Sequence, residues 1–201
     1  MAVVVLVLEA VFFAVAFGFR TVVQLRTTGD TGWRLRSDGA AAAVGSAALL
    51  VALLLAVAAP LADLAGLARW SALDARAVAA TGVTLMLAGS ALTVWAQLAM
   101  GASWRIGYDP SERTALVTRG PFRFVRNPIY TAMHVTMIGL ALALPNAVSA
   151  TLLAVSCVAL EIQVRAVEEP YLLRTHPEEY AEYLARTGRF VPGVGCLVAG
   201  T

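Results

Sequence analysis

Arg119-Gly-Pro-Phe-Arg-Phe-Val-Arg-Asn-Pro-Ile-Tyr130 decides how the rest of the chain is read. The stretch is basic, holds two of the eight prolines, and lies between long apolar segments. Its last four residues open a hydrophobic run. A polar loop that delivers Asn127 and Tyr130 into an apolar helix predicts a site at a membrane surface.

Composition around this stretch points the same way. Of the 201 residues, 59% are hydrophobic and only 14% are charged, against about 25% charged in soluble domains. The charges cluster, and an integral membrane protein follows. The net charge of +2 gives no basis for nucleic-acid binding. Every cation is an arginine and alanine is abundant, which fits a GC-rich genome better than any function. Cys157 and Cys196 are far apart and form no CxxC pair, so neither a disulfide framework nor a metal site is expected. The N-terminus lacks a basic n-region and reads as a retained first span.

Five apolar runs emerge: Val3 to Val23, Ala40 to Leu61, Arg76 to Met100, Pro128 to Leu144 and Ala147 to Val164. The first, as a helix, would cover about 31 Å, the thickness of the hydrocarbon layer. Pro145-Asn146 separates the last two with no charge nearby, predicting a tight hairpin. The expected fold is all-α: a single membrane domain over 1–201, an integral membrane helical bundle of about five transmembrane helices, the last two a hairpin. Short cytosolic C-terminal helices follow, and residues 1–75 hold the first spans.

Local signals refine these bounds. Asn127 suits an N-cap and Pro128 the first helical turn. Ser71 to Asp74 and Thr175 to Glu178 have capping-box spacing and predict helix starts. Asp109-Pro110 and Gly120-Pro121 mark turns. Glu9, eight residues from the chain start, is expected near the outer headgroups rather than inside the bundle. Phe190-Val-Pro192 is expected to end the last helix, whose Tyr180 and Tyr183 share a face on the interface or the core.

Arginines orient the spans. The first and third loops carry three and five, the tail from Arg165 carries four, the second loop carries Arg69 and Arg76, and the fourth carries none. The positive-inside rule then places the N-terminus outside and the C-terminus in the cytoplasm, with all arginine-rich segments on one face.

Two constellations stand out. Asn127, Tyr130 and His134 fall at i, i+3 and i+7 on the fourth span. Glu161, Arg165 and Glu168 fall at i, i+4 and i+7 on the fifth, with Glu169 adjacent. Neighbouring carboxylates repel, so a cation must compensate them; Arg165 or a cationic ligand would serve.

Leu116-Val-Thr-Arg-Gly-Pro-Phe-Arg-Phe-Val-Arg-Asn-Pro-Ile-Tyr130 resembles the signature shared by isoprenylcysteine carboxyl methyltransferases and phospholipid methyltransferases. Arg165-Ala-Val-Glu-Glu-Pro-Tyr-Leu172, His176-Pro-Glu-Glu-Tyr-Ala-Glu-Tyr183 and Arg189-Phe-Val-Pro192 resemble later blocks of that superfamily. The resemblance covers about residues 85 to 192, the methyltransferase-like half. It departs at Asn127, where histidine is usual, at Ala132, where glycine is usual, and at His176-Pro177 for Phe-Gly.

The resemblance implies an integral membrane methyltransferase using S-adenosylmethionine, with S-adenosylhomocysteine as product. The active site would face the cytoplasm, and residence in a bacterial inner (plasma) membrane is expected. It implies a cofactor site of Arg126, Asn127, Pro128, Tyr130, Glu168 and Glu169, with Arg126 or Arg165 on the cofactor carboxylate. Catalytic candidates are His134, Tyr130, Arg165 and Glu161. The expected partners are membrane lipids and a lipophilic acceptor bearing a carboxylate, an amine or a phenolic hydroxyl. A carboxylate acceptor needs no base, whereas an amine or phenol would use His134, Tyr130 or Glu161. A membrane NADPH reductase of the sterol type carries a related signature, His-Pro-Asn-Tyr-x-Gly, and is the alternative.

Overall fold

A computed structural model describes residues 1–35, 39–108 and 114–196. The Asp109-Pro110 turn, Arg36 and Arg113 lie outside the described residues. Four helices are long and apolar enough to cross a membrane: α1 (Ala2–Thr28), α2 (Ala40–Leu64), α3 (Arg76–Met100, continued by a 3-10 turn to Ser103) and α5 (Ala147–Thr175). Between α3 and α5 lies a shorter apolar helix, α4 (Pro128–Ala143). Its 16 residues cover about 24 Å. A short amphipathic helix, α6 (Pro177–Arg186), follows α5. The all-α membrane bundle expected from the sequence is therefore the observed architecture.

The hairpin between α4 and α5 is held by its own turn. Asn146 is fully buried and caps α5, its side-chain oxygen accepting from the amides of Val148 and Ser149, both at 3.0 Å. The Trp70 amide donates to the Pro145 carbonyl at 2.7 Å, tying the α2–α3 loop to this turn. Two other expected caps are absent. The helix after Ser71 starts at Arg76 with Ala75 as its cap, and Asp74 instead accepts from Arg69. Likewise His176 precedes α6, and Thr175 donates to the Tyr171 carbonyl one turn back in its own helix. A serine or threonine at capping spacing competes with such local bonds, and here the tertiary path chose them.

α3 packs most extensively on α4, and α2 on α5, with α1 resting across α2 and α3. The interior is rich in small residues, among them Ala52, Ala56, Ala59, Ala132, Ala143 and Ala159, alongside fully buried Met86, Leu144, Leu152 and Leu160. Large apolar side chains such as Leu54, Leu87, Trp95, Leu98 and Val158 point outward, where lipid would meet them. Lipid is as apolar as leucine, so close backbone approach at small residues adds packing that apolar burial alone does not supply. The α3–α4 contact is the extreme case. A methyl group on Gly139 would lie 2.5 Å from the Gly82 carbonyl oxygen and 2.7 Å from the Met86 nitrogen. Gly139→Val should therefore separate the helices and cost roughly 1–3 kcal/mol. The measurement is thermal loss of the monodisperse peak in detergent; an unchanged profile would contradict this packing.

The polar loops meet at one end of the bundle. β1 (Trp33–Leu35) pairs in parallel with β2 (Ile106–Tyr108), joining the first and third loops. An isolated bridge between Val125 and Gly188 adds the C-terminal tail. Side chains of α1 reach the same end: Arg20 donates to the Gly101 carbonyl, and Gln24 to that of Ala102 at 2.9 Å.

Glu9 departs from expectation. It is only 8% exposed and faces the bundle interior. The helix phase decides this: Ala2, Val5, Glu9 and Ala16 form one buried face of α1, packed on α2 and α3.

Candidate functional site

Where the loops converge, a cavity of about 750 Å³ opens into the bundle. One end is polar, lined by Arg105, Asn127, Tyr130, Gln163, Glu168 and Tyr171. The rest is mainly apolar, lined by Phe12, Phe13, Leu49, Leu53, Met133 and Met137 with Ser46, Thr93 and Gln97 among them. The first two spans, which carry no recognisable motif, thus build much of the apolar wall.

Glu168 is the one carboxylate lining this cavity among the described residues. It accepts a short hydrogen bond from the Tyr130 hydroxyl and another from Gln163. Its direction comes from a local irregularity. Residues Gln163–Glu168 form a π-turn inside α5, which changes the helical phase. Spacing alone put Glu161, Arg165 and Glu168 on one face. The π-turn breaks that face, turning Glu168 inward and leaving Glu161 and Arg165 as an exposed ion pair.

Arg165 therefore does not compensate the adjacent carboxylates. Glu169 lies between two other arginines: Arg126 Nη2 donates to its Oε1 at 2.8 Å, while Arg189 donates to both oxygens at 2.9 Å. All three residues are buried. The hydrogen bonds to Glu169 hold the Arg189 pKa above its ordinary value, so the guanidinium is a fixed cation. Arg126 also donates to the carbonyls of Thr187 and, at 3.2 Å, Gly195. The cluster fastens the tail to the loop 119–126, alongside backbone bonds from the Arg126 amide to the Gly188 carbonyl and from Asn127 to Arg189.

The other predicted residues separate into two groups. Asn127, Tyr130 and Arg126 line the cavity. Asn127 precedes α4 as expected, yet its side chain makes no cap and donates to the Arg189 carbonyl at 3.3 Å. Pro128 is buried in the first turn of α4. His134 lies off the cavity lining, its Nδ1 2.8 Å from the Tyr130 carbonyl oxygen of its own helix and its ring edge-on to Phe190. Glu161, Arg165 and Glu169 are also outside the lining.

Tyr180 and Tyr183 belong to the core rather than the interface. The Tyr183 hydroxyl donates to the Phe122 carbonyl, pinning α6 under the motif loop. Burial pushes both phenols above their ordinary pKa, which keeps the hydroxyl protonated as a donor.

Several site residues carried no assignment from the sequence. Arg105, whose guanidinium lies 5.0 Å from the Tyr171 ring centroid, counted only as a loop charge. Gln163 sits inside an apolar run, where a lone amide is costly and could have been singled out. Arg189 belonged to a recognised block, but its partner became visible only in three dimensions.

A family model described as phospholipid methyltransferase matches residues 77–179. Among solved structures, a eukaryotic intramembrane Ras methyltransferase, isoprenylcysteine carboxyl methyltransferase, is similar with a TM-score of 0.65 and 18% identity. The similarity covers 94% of this chain and 64% of that one, so the chain spans a little under two thirds of its length. No curated protein matches.

Proposed function

The chain belongs to the phospholipid methyltransferase family, and we propose that it transfers a methyl group from S-adenosylmethionine to a lipophilic acceptor in the membrane. The observation that carries this reading is the two-ended cavity, with Glu168 fixed at its polar end and apolar side chains at the other. The donor is a polar, zwitterionic cation with ribose hydroxyls. The residues present fit it: Glu168 would accept from its hydroxyls or ammonium, Arg105 would bind its carboxylate, and Asn127 offers an amide. Arg126 and Glu169 are better read as the clamp beneath the site, since each already has the other as partner.

When bound, the sulfonium supplies an electrophilic methyl group. The chain's contribution is placement. Holding both reactants in line can supply about 7–11 kcal/mol of the barrier, so no strong base is required for a carboxylate acceptor. For an amine or phenol, the Tyr130–Glu168 pair is the candidate proton acceptor, because His134 and Glu161 lie off the cavity lining. The acceptor would enter from the bilayer through the wall of Phe12, Phe13, Leu49 and Leu53 and keep its chain in the apolar end.

The arginine distribution supports a cytoplasmic polar end. Inverted membrane vesicles should then incorporate labelled methyl groups from externally added S-adenosylmethionine into a panel of lipid acids, amines and phenols. Right-side-out vesicles should not. Consumption of NADPH with no labelled lipid would overturn the reading in favour of the reductase.

A further inference from the structure

Gln97 lines the cavity from α3 and is only 4% exposed. An amide inside a membrane span is costly unless its polar atoms are answered. Half of this one is. Its Nε2 donates at 3.0 Å to the carbonyl of Ala16, within a second π-turn, Ala14–Phe19 of α1. A carbonyl only accepts, so this bond sets the amide with its nitrogen toward α1 and its oxygen turned away from that carbonyl. The oxygen accepts no bond among the described residues, yet it is not sealed off from the cavity. Neighbouring hydroxyls do not supply it. Thr93, one turn back, donates to the Gly89 carbonyl at 2.9 Å, and Ser103 to the Ala115 carbonyl at 3.2 Å.

The register between α3 and α4 sets the depth of this open acceptor. A methyl group on Gly82 would touch Gly139 and Ala143, and one on Gly89 would touch Ala132 and Thr136, so the two helices run antiparallel. Continued for about two turns, this register brings Gln97 level with Asn127, where α4 begins and the polar end of the cavity lies.

We propose that Gln97 reads the reacting end of the acceptor lipid, selecting a head that carries a hydrogen-bond donor, a hydroxyl or an amine, over a carboxylate. Glu168, Asn127 and Arg105, assigned above to S-adenosylmethionine, lie on α5, at the start of α4 and in the loop after α3. That leaves the α3 wall to the other reactant. An amide oxygen is neutral and accepts from a hydroxyl or an ammonium alike, whereas an ionised carboxylate brings only lone pairs to it. Of the acceptor classes considered, the amine and the phenol then fit. The inference rests on the proposed function for what enters the cavity, though not for the open amide itself.

The test uses the full-length protein in phosphatidylcholine nanodiscs, with octadecyl lipids that differ only in the head. Octadecanol is compared with its methyl ether, and octadecylamine with octadecyltrimethylammonium, so that the donor is removed at constant charge; stearate supplies the carboxylate. The wild type should bind the alcohol and the amine more tightly than the three lipids without a donor. Gln97→Met should cut that preference by about three- to tenfold. Gln97→Glu keeps an acceptor oxygen and, when protonated, a donor for the Ala16 carbonyl, so it should retain the preference for octadecanol over the ether even where Gln97→Met fails to fold. Equal binding of alcohol and ether by the wild type would overturn the proposal. So would a preference undiminished in Gln97→Met or lost in Gln97→Glu. S-adenosylhomocysteine titration of the same proteins separates the two ideas. Gln97→Met should bind it as the wild type does, and weakened binding with the lipid preference intact would move Gln97 to the cofactor and overturn the assignment. Failure of the wild type to bind it would count against the methyltransferase reading alone.

Discussion

Glu168→Ala is expected to lower the affinity for S-adenosylhomocysteine by about 10–100-fold while the protein remains folded. Hydrogen bonds to a charged group contribute about 1.5–3 kcal/mol each, and 1.4 kcal/mol corresponds to a factor of ten. The loss should be large because Glu168 is the cavity's one carboxylate among the described residues, with its side chain fixed by Tyr130 and Gln163 before any ligand arrives. Its removal should be tolerated by the fold, since Tyr130 and Gln163 line the cavity, where entering water would replace the lost bonds. Glu168→Gln keeps an acceptor oxygen and should recover part of the affinity. Isothermal titration of the three proteins makes the measurement, and undiminished binding by Glu168→Ala would remove the residue from the site.

Glu169→Ala, one residue along, should behave in the opposite way. Its carboxylate is the shared partner of Arg126 and Arg189. Truncating it leaves two buried guanidinium groups facing each other without their counter-charge. Breaking a buried ion pair by removing one partner costs about 3–5 kcal/mol. The prediction is a marked drop in the temperature at which the purified protein loses its monodisperse form. At low temperature, with the tail still docked, ligand affinity should fall by less than in Glu168→Ala. If Glu169→Ala melts as the wild type does but loses ligand, the clamp assignment is wrong and both glutamates belong to the binding surface. The pair of variants thus separates contact with ligand from support of the fold at adjacent positions.

The two glutamates also mark the boundary of what spacing could reveal. An α-helical wheel predicts one face for Glu161, Arg165 and Glu168, and that face would exist if α5 were regular. The π-turn over Gln163–Glu168 is a departure of a few hydrogen bonds, decided by packing against α2 and by what the inward side chains can reach. No residue in Gln-Val-Arg-Ala-Val-Glu declares it. His134 shows the same limit from the other side. Its spacing from Tyr130 put it on the expected face, but its ring turns back to its own helix and to Phe190.

Other features were legible because their causes are local or additive. The apolar runs fixed where each spanning helix starts to within a residue, since a helix must carry its own backbone hydrogen bonds through lipid and must be long enough to cross it; their ends were legible except in α1 and α5, which continue into polar sequence as far as Thr28 and Thr175. Pro145-Asn146 declared the hairpin, because proline and a capping asparagine act within a turn of themselves. The loop 119–130 pointed to a candidate site because it resembles a family signature in order and spacing, together with several later blocks.

By itself, then, the sequence determined the membrane bundle and the hairpin, and it singled out the segment that borders the candidate site. These depend on hydrophobicity, helix length and short-range capping, all of which act along the chain. Only the tertiary structure decided which carboxylate faces the cavity, which arginines neutralise Glu169, and that Glu9 lies inside the bundle. Those outcomes depend on helix phase and on contacts between residues up to dozens of positions apart, where a rotation of a fraction of a turn exchanges one partner for another.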